Sequence, residues 1–145
     1  MVDPPGFSAM SSMLRLHRTM TAILDQELKS GFHLRLIDYE ILKALQAADG
    51  VHLLGEVARQ LMVHATTASI AIDRLAERGL ATRRAHPRDR RATLVEITDD
   101  GRAVADGATA ALSGVGFGLP EESVRALAEM IARLHAGRAE PIAPG

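Results

Sequence analysis

Nine residues, 83–91, hold five arginines (Arg83, Arg84, Arg88, Arg90 and Arg91) against one acid, Asp89, in a chain whose formal net charge is -1. Guanidinium groups at this density suit phosphate oxygens, which they can grip through paired hydrogen bonds. Just upstream lies a complementary set: His64, the hydroxyls of Thr66, Thr67 and Ser69, the apolar Ile70, then Asp73 and Arg74. Hydroxyls reach phosphates, an apolar side chain can meet a thymine methyl, and a guanidinium can read a base edge. A solvated surface loop is the competing reading of any charge run. The order of the two clusters, a helical segment followed at once by a basic one, favours a nucleic-acid partner.

Other chemistries find less support. No cysteine is present, which excludes disulfides, thiolate metal sites and thiol redox switches. The six histidines (His17, His33, His52, His64, His86 and His135) form neither an H-E-x-x-H motif nor an i, i+4 pair, so no metal site is expected. No G-x-S-x-G, P-loop or G-x-G-x-x-G fingerprint occurs; the chain reads as a non-enzyme without a cofactor. No apolar run is long enough to span a membrane and the first residues do not resemble a signal peptide, so a cytoplasmic location is expected. At 145 residues, 47% hydrophobic and 24% charged, the chain has the size and composition of one globular domain.

The apolar spacing indicates which elements carry these residues. Positions three and four apart predict helices over 8–30, 34–48, 54–61 and 66–78, with Gly31 and Gly79 as terminators. Ala68, Ile72 and Leu75 supply the inward stripe of the fourth, leaving Thr66, Thr67, Ser69, Ile70, Asp73 and Arg74 outward. Residues 80–85 and 91–98 alternate and contain β-branched residues, predicting a hairpin whose tip is the arginine cluster. Thr98, Asp99 and Asp100 are an N-cap and acidic first turn for a fifth helix, broken at Gly114, Gly116 and Gly118. Pro120 opens a sixth, with Val124, Leu127, Ile131 and Leu134 inward. Two short helices joined by a tight turn and followed by a basic hairpin make a winged helix-turn-helix.

The segment Asp89-Arg90-Arg91-Ala92-Thr93-Leu94-Val95-Glu96-Ile97-Thr98, followed by Gly101, resembles the wing signature D-x-R-x5-L-T-x-x-G of MarR (multiple antibiotic resistance regulator) transcription factors, with Ile97 for the usual Leu. Asp73-Arg74-Leu75 through Gly79-Leu80 resembles the end of that family's recognition helix. The resemblance covers residues 8–136. It implies a mainly α fold with a small β-hairpin wing: a winged helix-turn-helix over 34–98, flanked by N- and C-terminal dimerisation helices over 8–31 and 99–136. Residues 1–7 and 137–145 are expected to be flexible tails. It further implies a homodimer reading a pseudo-palindromic operator, with Arg91 reaching the minor groove and Asp89 orienting it. His64, Thr66, Thr67, Ser69, Ile70, Arg74, Arg84, Arg88, Asp89, Arg90 and Arg91 are the expected DNA-binding residues. Ile70 departs from the polar residue common there, and Ala76 from a common acid.

In the resembled family small phenolic or aromatic acids lower DNA affinity, which implies an effector pocket. Its expected lining is Met13, His17, Met20, His33, Arg35, Leu36 and Tyr39, an apolar wall with cationic and hydrogen-bonding groups. Packing is the simpler role for the methionines and for His17. The expected function is a transcriptional regulator, a repressor of its own or a neighbouring operon released by such an effector. The alternatives are an effector-independent or architectural DNA-binding protein, and a winged-helix protein-interaction module.

Overall fold

The computed structural model describes residues 2–138. Its elements in chain order are α1 (Pro5–Phe32), α2 (Leu36–Ala47), β1 (His52–Leu53), α3 (Leu54–Gln60), α4 (Ala65–Glu77), β2 (Ala81–Ala85), β3 (Thr93–Ile97), α5 (Asp99–Gly114) and α6 (Val124–Ala136). Two short 3-10 turns, Gly116–Gly118 and Glu121–Ser123, join the last two helices. The mainly α class with a hairpin wing is as expected.

Helix boundaries shift where local chemistry outweighs the apolar pattern. Pro5 occupies the first helical position, where its missing N–H costs nothing, so α1 begins within the expected 1–7 tail. Met1 and 139–145 lie outside the described residues. Gly31, expected to end the helix, stays helical; His33 takes the left-handed conformation instead, at φ 53°. This extension lets Leu34, whose N–H bonds the Leu28 carbonyl, turn back into the core beside Leu28. Arg78 donates to the carbonyls of Phe32 and His33, closing the end of α1 from outside.

The core gathers Leu28, Leu34, Ile41, Leu42, Leu45, Val57, Ile72, Leu75, Val95 and Leu112, all fully buried. It lies between α1, α2 and α5 on one side and α3, α4 and the sheet on the other. The hairpin pairs Ala81 with Ile97 and Ala85 with Thr93. A third strand, β1, adds to the other edge of β3 through His52 opposite Val95. At two residues it was too short to leave an alternation signal. Thr98 caps α5 by accepting from the Gly101 N–H, and its hydroxyl donates to the Gly79 carbonyl. A Cβ at position 101 would stand 2.0 Å from the Leu80 carbonyl oxygen, so only glycine fits where the wing returns to the helical body.

One expectation reverses. Val124, Ile131 and Leu134 of α6, predicted inward, are exposed, as is Met130. The N-terminal half of α1 likewise exposes Phe7, Met10, Met13, Leu14 and Leu16. Both stripes have helical period, yet within one chain neither is covered.

Candidate nucleic-acid interface

Helix α4 is anchored by Ala68, Ala71, Ile72 and Leu75, the expected stripe plus Ala71. His64 occupies its N-cap position without a side-chain capping bond, so the first N–H groups of the helix remain open to a ligand. Thr66 and Thr67 are exposed beside it, and Ile70 is 53% exposed one turn further on. Ser69 is half-buried, and its carbonyl accepts from Arg83.

Arg74 departs from expectation. Its guanidinium turns inward and donates to Asp38 of α2 at 2.6 Å, rather than facing outward with the hydroxyls. Asp38 is 3% exposed, and its second oxygen accepts the Arg35 N–H at the start of α2. A nearly buried carboxylate attracts the nearest guanidinium, and the pair is held because either partner alone would be an uncompensated charge. Arg74 Nε is buried without an acceptor, a measure of how far the side chain has been drawn in. Asp73, on the outer face, is paired with Arg83 of β2. Arg83 therefore fastens the hairpin to α4, and of the five clustered arginines it is the one spent inside the fold.

The wing tip is built by two side chains. His86 N–H bonds the Ala92 carbonyl and Ala92 N–H bonds the Asp89 carbonyl, closing the loop between β2 and β3. His86 Nδ1 accepts from the backbone N–H groups of Arg88 (3.0 Å) and Asp89 (3.2 Å). Asp89 Oδ1 accepts from the Arg91 N–H at 3.0 Å, whereas its distance to Arg91 Nε is 3.9 Å. Asp89 thus orients Arg91 mainly through the backbone, and the guanidinium, on a side chain 96% exposed, projects into solvent. Arg84, Arg88 and Arg90 are exposed and form no ion pair among the described residues. Arg91, Ala92 and Thr93 share a cleft of about 460 Å³ with Arg59 of α3 and Ala65, the first residue of α4. The tip end of the wing and the open end of α4 therefore face the same space.

The sequence pattern assigned no role to Asp38, counted Arg83 within the basic cluster rather than as a tie to α4, and saw in His86 only membership of the wing. A proline directly after His86, which fixes a turn there, was the one available hint for His86.

The seven expected pocket residues do not come together. His33, Arg35 and Leu36 line a cleft of about 700 Å³ with Asp25, Lys29, Leu34 and Ile37 at the junction of α1 and α2. Its polar lining combines Lys29, His33 and Arg35 with one acid, Asp25, which accepts the Leu36 N–H. Tyr39 instead bonds Thr109 of α5 through its hydroxyl at 2.7 Å. Met20 packs against Gly118, and Met13 belongs to the exposed stripe of α1, about 30 Å along the helix from His33. His17 lies near Glu40, whose carboxyl is raised above 4.5, first by burial; His17 opposes the shift and Asp25 adds to it. No group of three or more metal-ligating side chains is present among the described residues, and no helix among them is long and apolar enough to cross a membrane.

A sequence profile of the MarR family matches residues 32–92, from the end of α1 through the wing tip. No curated protein matches the chain in sequence. Among solved structures, Sco5413, a MarR family transcriptional regulator from Streptomyces coelicolor, is 29% identical with a TM-score of 0.81, covering 96% of this chain and 100% of its own. Sco3205, another MarR family regulator from the same organism, solved in complex with DNA, is 22% identical with a TM-score of 0.76, covering 99% and 95%. CouR from Rhodococcus jostii, bound to p-coumaroyl-CoA, is 21% identical with a TM-score of 0.74, covering 97% and 96%. The chain thus carries a MarR-type winged helix over residues 32–92 and shares the fold of MarR family transcriptional regulators over nearly its whole length.

Proposed function

We propose that the protein is a homodimeric, sequence-specific DNA-binding repressor of its own or a neighbouring operon, released by a small aromatic or phenolic acid. The observation that carries this reading is the pairing of an outward face on α4, bearing Thr66, Thr67 and Ile70, with a wing that projects Arg84, Arg88, Arg90 and Arg91. Such a helix fits a major groove, and arginines on a hairpin tip suit the adjacent minor groove and its phosphates. Residues 34–98 form the DNA-binding part, and the helices flanking them form the dimer. The uncovered apolar stripes of α1 and α6 support that division, since a second copy would bury both. Two-fold symmetry then sets half-sites about 10 base pairs apart. The cationic cleft at His33 and Arg35 supports an anionic effector. The DNA bound to Sco3205 and the p-coumaroyl-CoA bound to CouR are consistent precedents on the same fold.

Fluorescence anisotropy with duplexes from the flanking DNA, at fixed salt, tests the reading. Tight binding to one inverted repeat and weak binding to random duplex are expected, with affinity lowered by phenolic acids. Equal affinity for all sequences would leave an architectural protein, and no binding at low salt would leave an interaction module.

A further inference from the structure

The exposed face of α4 lacks a free long-chain hydrogen-bond donor. Arg74 is turned into the fold onto Asp38, and Asp73 is neutralised by Arg83. The remaining long polar side chain of α4, Glu77, lies about two turns beyond Ile70 at the C-terminal end. What faces outward from the first two turns is Thr66, Thr67 and the branched side chain of Ile70, the one large apolar side chain exposed on the helix. A single exposed apolar side chain is ordinary on a protein surface; what sets Ile70 apart is its place on the outward face of α4, between the hydroxyls of that face and the wing.

Sequence reading in a major groove usually rests on bidentate bonds from Arg or Lys to guanine and from Asn or Gln to adenine. None of those side chains is available on this face. The apolar feature that a major groove does offer is the C5-methyl of thymine. Resting on the DNA-binding reading above, we infer that Ile70 determines specificity by packing on a thymine methyl in each half-site. Thr66 and Thr67 bond phosphate or either base edge beside it. The half-site is thus selected by apolar contact at an A·T pair, and affinity is supplied separately by the wing.

The experiment uses the full chain and a random-sequence duplex library, followed by single-site replacement of thymine with deoxyuridine in the enriched duplex. Deoxyuridine lacks only the C5-methyl and keeps every hydrogen-bonding group. Selection is expected to enrich thymine at a symmetric position in both half-sites. Removing one methyl should weaken binding about fourfold, and removing both about fifteenfold. Ile70→Ala should bind the thymine duplex as weakly as the deoxyuridine duplex and no longer distinguish them, while Ile70→Val keeps the distinction. Arg91→Ala should weaken both duplexes equally. Wild-type protein that binds the two duplexes alike overturns the inference, as does enrichment of guanine with no thymine dependence. Binding without any enrichment overturns it while leaving DNA binding intact; absence of binding to any duplex removes the functional reading as well.

Discussion

The recognition helix and the wing both carry arginine, and they use it in opposite ways. On and around α4 the guanidinium groups are consumed by the fold: Arg74 on Asp38, Arg78 on the carbonyls ending α1, Arg83 on Asp73 and the Ser69 carbonyl. At the wing tip His86 Nδ1 and Asp89 Oδ1 accept from backbone N–H groups, and the arginine side chains are left projecting into solvent. A guanidinium near a buried carboxylate becomes structure, whereas one on a loop already closed by shorter side chains becomes an anion-binding group. In the proposed reading the contrast separates two components of DNA recognition, a helix face that selects through shape and methyl contact and a wing that supplies charge.

Breaking the contrast should be most costly on the helix side. Asp38→Ala leaves the partly buried Arg74 without its partner and is expected to lower unfolding free energy by about 3 kcal/mol in urea denaturation. Replacing Arg84, Arg88, Arg90 and Arg91 together by Ala should change it by no more than about 0.5 kcal/mol, because nothing in the fold depends on them. Near-equal stability losses in the two variants would erase the distinction.

The wing's preorganisation gives a smaller effect. His86→Ala removes the acceptor for two N–H groups and should weaken operator binding about threefold, in line with roughly one net hydrogen bond. His86→Asn places an amide oxygen close to where Nδ1 stands and should restore affinity; His86→Gln, with its oxygen displaced, should not. An accepting Nδ1 requires the tautomer with its proton on Nε2, which nitrogen-resolved NMR of the free protein reads directly. A proton found on Nδ1 would contradict this account of the tip.

The smallest effect is expected at Glu40, which belongs to neither region. Its carboxyl is raised chiefly by burial, so the folded state holds the proton more tightly than the unfolded state. The stability this gives is fully present below the unfolded value and is lost as pH rises through the folded one. Glu40→Gln should therefore raise Tm slightly at pH 7 relative to the wild type, and the difference should shrink on acidification towards 4.5 and below. A lower Tm for the variant at pH 7 would show that the carboxylate is held by partners rather than penalised by burial.

The elements were legible in the sequence because apolar spacing survives folding. The stripe of Ala68, Ile72 and Leu75, the hairpin and the Thr98 cap all lie where their periods placed them. Less legible was which way a stripe or a charge faces. The apolar positions of α6 repeat correctly but point outward, since periodicity does not say whether the covering surface belongs to the same chain. Arg74 sits at the border of its helix's buried face, and its direction is decided by Asp38, 36 positions away in sequence. Similarly, Tyr39 was drawn from the expected pocket by Thr109, a contact across 70 positions. The wing needed no such distant partner, because His86 and Asp89 act on their own loop, and its exposed arginines could be read locally.

The most direct test of the division between selecting helix and charged wing is the salt dependence of operator affinity. It compares the wild type with the variant carrying Ala at positions 84, 88, 90 and 91. Each phosphate neutralised contributes about 0.9 to the slope of log affinity against log salt concentration. The variant is expected to remain folded, to keep its preference for the thymine-containing duplex over the deoxyuridine one, and to show a slope shallower by several units. A slope equal to that of the wild type, with affinity unchanged, would contradict the account.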